Sequence, residues 1–241
     1  MADDALFDAS EEKTFLTGRP FREFADPAPL DKHGPATVLS MVNQKGGVGK
    51  TTSTINLGAC LAEQGRKVLL VDLDPQGALS AGLGVSHDEE QVTVYDLLFD
   101  NTTSIHSAIR HSNVSGLDLV PANIDLSAAE IQLVNEVGRE HTLARALRPV
   151  RNEYDIIIID CGPSLGLLTV NALACSQGVI IPMECEYFSL RGLALLTDTV
   201  EKVRDRINFD LDIVGILVTM FDRRTTHARE VMDRVVEVFG D

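Results

Sequence analysis

Apolar residues fall in short, nearly unbroken runs along the chain, separated by longer stretches in which apolar positions recur at helical intervals. The runs TVLSMVN (37–43), KVLLVDLD (67–74), LDLVPA (117–122), DIIIID (155–160), VIIPM (179–183) and DIVGILVTM (212–220) read as strands. Val, Ile and Leu without polar alternation mark strands buried on both faces, which is the habit of a parallel sheet. Between the strands, Thr51 to about Gln64 reads as a helix closed by Gly65. Residues 126–138 (LSAAEIQLVNEVG) and 191–207 (RGLALLTDTVEKVRDRI) are the clearest of the other helices. The alternation predicts an α/β fold: a three-layer sandwich whose mostly parallel, twisted sheet is covered by helices on both faces.

The pattern starts only at residue 37. Residues 1–36 carry Pro20, Pro27, Pro29 and Pro35 among scattered acids and show no periodicity, so a disordered or loosely attached tail is expected ahead of a single domain over 37–241. Phe15, Phe21 and Phe24 within the tail suggest a short partner-docking motif. A sheet of this kind usually closes with one more strand and helix, so a C-terminally truncated form is the expectation for the end of the chain.

Composition narrows the function classes. The formal net charge of −15 argues against attraction of the whole surface to nucleic acid, so DNA binding would need a local basic patch. Cys60, Cys161, Cys175 and Cys185 form no CxxC pair and read as reduced thiols. No apolar run approaches the roughly 18 residues of a membrane span, and no signal peptide is evident, which suggests a cytoplasmic protein.

The chemistry concentrates in NQKGGVGKTTSTI (43–55), between a predicted strand and a predicted helix. Gly46, Gly47 and Gly49 let the backbone curl, with Val48, so that successive N–H groups face a phosphate at the helix N-terminus. Lys50 can reach the β- and γ-phosphates, the Thr51 hydroxyl can ligate magnesium, and Thr52 continues the motif. Asp160 ends a buried strand, where its carboxylate can hold the metal through a water. Gly162 follows with a backbone that a γ-phosphate can approach closely. Asp72 and Asp74 share a strand face, but only Asp74 clears the sheet edge. Asp74 is therefore the candidate to orient the attacking water beside the metal, with helix capping as the other role open to either aspartate.

With KGGVGKTT (45–52), VDLDPQG (71–77) and IIIIDCGPSLG (156–166) in that order, the sequence resembles the ParA/Soj partition ATPases, within the MinD/ParA class of deviant P-loop proteins. ECEYFSLRGLALLTDTV (184–200) and VTMFDRRT (218–225) are similar to later segments of that group, and the tail looks like the extension of actinobacterial members. The resemblance implies an ATPase with slow intrinsic turnover that uses ATP and Mg2+. It implies that Lys45 reaches the nucleotide of a second subunit in an ATP-dependent sandwich homodimer. It further implies non-specific DNA binding, stimulation by a ParB-type centromere-binding partner, and a nucleoid-associated role in chromosome or plasmid segregation. Arg224 matches a DNA-contacting arginine of the family, with Arg223 and Arg229 as helpers, while Met220 and Asp222 are candidates for the adenine side. An orphan paralogue that positions division or chromosome-organising machinery is the alternative. A MinD-like membrane switch would need a C-terminal amphipathic helix, and an iron–sulfur protein would need paired cysteines.

Overall fold

The computed structural model describes residues 25–85 and 91–240. Phe15, Phe21 and Phe24 lie outside them. Each apolar run becomes a strand: β1 (Thr37–Met41), β2 (Val68–Leu73), β4 (Leu117–Val120), β5 (Ile156–Cys161), β6 (Gly178–Glu184) and β7 (Asp212–Thr219). A two-residue strand, β3 (Arg110–His111), adds an antiparallel edge to β4. The sheet order is β3-β4-β2-β5-β1-β6-β7, and every pairing other than β3 with β4 is parallel.

The helices are α1 (Lys50–Glu63), α2 (Ala78–Gly82), α3 (Val94–Phe99), α4 (Ile105–Ala108), α5 (Leu126–Leu133), α6 (Thr142–Leu147), α7 (Leu167–Cys175), α8 (Tyr187–Arg206) and α9 (Thr226–Phe239). Successive side chains of β2 divide between the two faces. Val68 and Leu70 pack with Ala62, Leu79, Leu117, Leu119 and Ile158 beneath α1 and α2. Leu69, Val71 and Leu73 join the larger core, which also takes residues of α3 to α9. Both faces of the sheet are thus covered, as the unalternating strands require.

Two helices differ from the pattern read in the sequence. α5 ends at Leu133 rather than 138, because Asn135 and Glu136 donate to Gln132 and Leu133, three residues back, and the chain tightens toward Gly138 at φ 67°. α8 starts four residues before Arg191, taking in the aromatic pair Tyr187 and Phe188.

The segment before β1 is tied to the domain over its last residues. Ala36 N donates to Arg151 O at 2.6 Å. The Asp155 carboxylate accepts from Gly34 N (3.0 Å) and Lys67 N (2.7 Å) and pairs with His33 Nδ1 (2.8 Å).

Parallel register brings the C-terminal strand ends to one rim. Met41 and Asp72 both stand opposite Asp160, and Leu73 opposite Cys161. Strands β5 and β6 flank β1 on either side, so the loop leaving β1 emerges at a crevice in the rim, the usual place for a ligand in an open α/β sheet.

Candidate nucleotide site

The loop from Asn43 to Gly49 owes its shape to a few anchors. Asn43 is buried; its Nδ2 donates to Pro182 O (2.7 Å) and its Oδ1 accepts from Lys45 N (2.9 Å), which clips the loop entrance to β6. Gly47 and Gly49 are left-handed, at φ 77° and 83°. No atom lies within 4 Å of where a Cβ on Gly47 would sit, so the space beside the loop there is open. Val48 is buried, and its carbonyl accepts from Thr219 Oγ1 at 2.9 Å, which joins the loop to the end of β7. Gly49 caps α1, and its carbonyl takes the first helical hydrogen bond, from Ser53 N (2.9 Å).

Lys50 opens α1 almost buried, with Nζ donating to Lys45 O at 3.1 Å. Burial pushes its pKa down, while Asp160, Cys161 and Asp74 push it back up. An ammonium has three donors, so Lys50 keeps two for an anion in the loop. Thr51 lies half-buried beside it, and Thr52 is exposed.

The three carboxylates take separate parts. Asp72 is fully buried, and its Oδ2 accepts from Ser80 N (2.9 Å) and Ser80 Oγ (2.7 Å). It therefore ties the end of β2 to the first turn of α2, whose N-cap is Gly77. Asp74 is half-buried at the rim; its Oδ1 accepts from Gln76 N at 3.0 Å, and its Cγ lies 3.4 Å from where a Cβ on Gly162 would be. Pro163 in turn approaches Gly46, at 4.0 Å from its would-be Cβ.

Asp160 is 1% exposed. Its Oδ1 receives only a long bond from Thr54 Oγ1 (3.4 Å), and its buried Oδ2 has no partner. Burial lifts its pKa to about 7; Thr51 and Lys50 oppose this, and the charges of Asp72 and Asp74 add to it. A buried polar atom without a partner usually marks a missing ion or water. Oxygen donors from Asp160 and Thr51 suit a hard divalent cation such as Mg2+. Among the described residues no cluster of three or more His, Cys, Asp or Glu could hold a metal unaided. That agrees with a cation bound through one or two protein oxygens together with water and phosphate.

Lys45 is held within its own chain. Its Nζ donates to Glu184 Oε2 (2.9 Å) and Glu186 Oε2 (2.5 Å), and these carboxylates raise its pKa. Neither acid stood out in the sequence. They sit two residues apart where β6 runs into α8, so they face one way, but only the strand order reveals that β6 borders β1.

The sequence-predicted DNA residues cluster at the start of α9. Arg223, Arg224 and Arg229 are exposed. Arg224 is chelated by Asp222, with Nε at 3.0 Å from Oδ1 and Nη2 at 2.8 Å from Oδ2, which depresses the Asp222 pKa to about 2. Met220, exposed and left-handed at φ 52°, follows Thr219 and so stands next to the phosphate loop. Cys161 is buried in the core, where burial raises its thiol pKa, and it offers no cluster ligand at the rim.

A parallel sheet, a glycine loop capping a helix, a buried lysine and a metal-type aspartate on the neighbouring strand define a P-loop nucleotide-binding protein. A family model described as an AAA domain matches residues 36–213. An uncharacterised Mycobacterium tuberculosis protein is 70% identical over 94% of this chain and 71% of its own length. The sporulation initiation inhibitor protein Soj of Bacillus subtilis is 50% identical over 85% of this chain and 80% of its own. Among solved structures, a Mycobacterium smegmatis protein described as cobyrinic acid a,c-diamide synthase, with bound ADP and magnesium, superposes with TM-score 0.80. It is 44% identical and covers 85% of this chain and 82% of its own. The chain belongs to the ParA/Soj family of P-loop ATPases.

Proposed function

We propose that this protein is an ATP-driven partition switch, cytoplasmic and nucleoid-associated. It binds ATP and Mg2+, dimerises around the nucleotide, holds DNA without sequence preference, and is released when a ParB-type partner stimulates hydrolysis. The observation that carries the reading is the meeting of Lys50, Asp160, Asp74 and Gly162 at one rim of the sheet, with the half-buried Lys45 at the loop entrance.

The residues divide the work. The N–H groups of the loop from Gly46 to Thr52 and the Lys50 ammonium cradle the phosphates. Thr51 and Asp160 hold Mg2+, which neutralises phosphate charge when bound. Asp74 orients a water against the γ-phosphate, and the Gly162 N–H faces the same group. Hydrolysis joins the water oxygen to the γ-phosphorus and breaks its bond to the bridging oxygen. Lys45 supplies a cation to the partner's nucleotide, which ties nucleotide state to dimerisation. Arg223, Arg224 and Arg229 contact DNA phosphates, so binding is strongly salt-dependent. Met220 lies on the adenine side. The structural likeness to a protein described as a synthase does not displace this reading, because the chromosome-partitioning ATPase Soj of Treponema pallidum, 53% identical over 84% of this chain, and the chromosome partitioning protein ParA of Myxococcus xanthus, 50% identical over 82% of it, match over most of the chain.

The test is light-scattering mass with ATP and magnesium, with and without non-specific DNA, for the wild type, Asp74→Ala and Lys45→Ala. A nucleotide-dependent dimer that Asp74→Ala traps, that Lys45→Ala prevents, and that alone binds DNA is the expected result. A wild type that binds ATP and stays monomeric refutes the switch.

A further inference from the structure

The backbone at the loop entrance is fixed without any help from charge. Asn43 Nδ2 donates to Pro182 O at 2.7 Å, and the Gln44 amide packs on α8, with Nε2 2.9 Å from where a Cβ on Gly192 would sit. Glu184 and Glu186 therefore act on the Lys45 side chain alone. All three groups are partly open to solvent, at 40% for Lys45, 26% for Glu184 and 54% for Glu186. Nothing steric prevents the ammonium from leaving. What opposes its departure is the loss of two charge-assisted hydrogen bonds, which also leaves two carboxylates facing each other across the vacated position.

This inference rests on the reading of Lys45 as a cation given to the second subunit. We propose that Glu184 and Glu186 are positioning residues for Lys45: they hold its ammonium in cis in the monomer, so that reaching a partner's nucleotide requires both pairs to break. A contact made in one state and not the other shifts the equilibrium toward the state that has it, by its own strength. The pairs thus favour the monomer and set the ATP level at which dimers form, and two-fold symmetry applies the effect twice. Partly exposed ion pairs are individually weak, so their removal strengthens the dimer by roughly tenfold, not by orders of magnitude.

The experiment compares wild type, Glu184→Gln, Glu186→Gln, the double variant and Lys45→Ala in two measurements. The first is the dimer dissociation constant at saturating ATP and magnesium, by light scattering over a concentration series. The second is the rate at which an amine-acylating reagent labels Lys45 in nucleotide-free monomer, read by peptide mass spectrometry. The double variant is expected to dimerise roughly tenfold more tightly, each single variant roughly threefold. Faster labelling of Lys45 should accompany both. The single variants carry the test if the double variant proves unstable. A dimer that Lys45→Ala leaves intact overturns the trans-lysine reading itself. A Lys45-dependent dimer whose strength and labelling are unmoved by the glutamine variants overturns the latch alone. So does one that they weaken, since the acids would then be serving the dimer.

Discussion

Asp160→Asn in the nucleotide-free protein should change how stability depends on pH, by an amount that follows from the burial of that carboxylate. Burial lifts the Asp160 pKa from an ordinary 3.8 to about 7. The folded state therefore binds a proton more tightly than the unfolded chain across that interval. Its stabilising effect is complete below the unfolded pKa and is lost as pH rises through the folded value. A gap of about three units at about 1.4 kcal/mol each gives about 4 kcal/mol in total, of which about 2.5 falls between pH 5 and pH 8. Asparagine removes that slope. It also places an amide where Oδ2 has no partner, at about 1–3 kcal/mol, but this offset is the same at every pH and drops out of the difference. Asp72, whose pKa burial also raises, is present in both proteins. Urea unfolding at pH 5 and pH 8, without magnesium or nucleotide, should show wild type losing about 2.5 kcal/mol more than Asp160→Asn over that interval. Equal slopes in the two proteins would refute the assignment of a buried, unpartnered charge. Magnesium and ATP should shrink the loss in wild type only.

Asp74→Asn removes the carboxylate proposed to orient the water and should cut turnover by about 100-fold or more while nucleotide binding persists. Unchanged turnover in a phosphate-release assay would remove Asp74 from the water's position. Gly178→Ala puts a methyl group 2.4 Å from Val214 Cγ2 and 2.9 Å from Leu39 Cδ2. Val214 is stiff at χ1, so crowding it and Leu39 should cost about 1–3 kcal/mol and several degrees of melting temperature in calorimetry. Arg224→Ala should lower the slope of log affinity for DNA against log salt by about one, and Asp222→Ala should tighten DNA binding by freeing the arginine. A fluorescence-anisotropy salt series that separates neither variant from wild type would place DNA elsewhere.

How much of this was legible beforehand depends on how local each signal is. The strands read clearly because burial on both faces leaves unmixed runs such as IIIIDC, and the loop read clearly because its glycines, lysine and threonine are contiguous. β3 was missed because Arg110 and His111 are polar, and a two-residue edge strand needs only a neighbour's backbone. The end of α5 was overrun because LVNEVG keeps apolar residues at helical spacing even as the hydrogen bonds shorten; Val134 and Val137 are exposed there. Division of labour between Asp72 and Asp74 was partly readable from strand direction, but the partner of Asp72, Ser80, lies eight residues on, in a helix of five. The partners of Lys45 were out of reach altogether, since they lie 139 and 141 positions away and meet it only through the placement of β6 beside β1.

The charged groups that matter to the proposed cycle share a condition in this structure. Lys45 is occupied by Glu184 and Glu186, Arg224 is occupied by Asp222, and Asp160 is buried with one oxygen unserved. Two cations are thus withheld from external anions, and one anion lacks its cation. In that proposed cycle, magnesium and nucleotide would relieve Asp160 and would give Lys45 a stronger partner than two partly exposed acids, provided a second subunit supplies the phosphates. Arg224 gains only when a phosphate outcompetes one carboxylate already held in two-point contact, which DNA does best when a dimer presents two such sites together. On the proposed function, the same chain would be a poor DNA ligand as a monomer and a good one as a dimer without any large change of fold. The discrimination would then come from internal ion pairs weak enough to exchange and placed where the exchange is rewarded only on assembly.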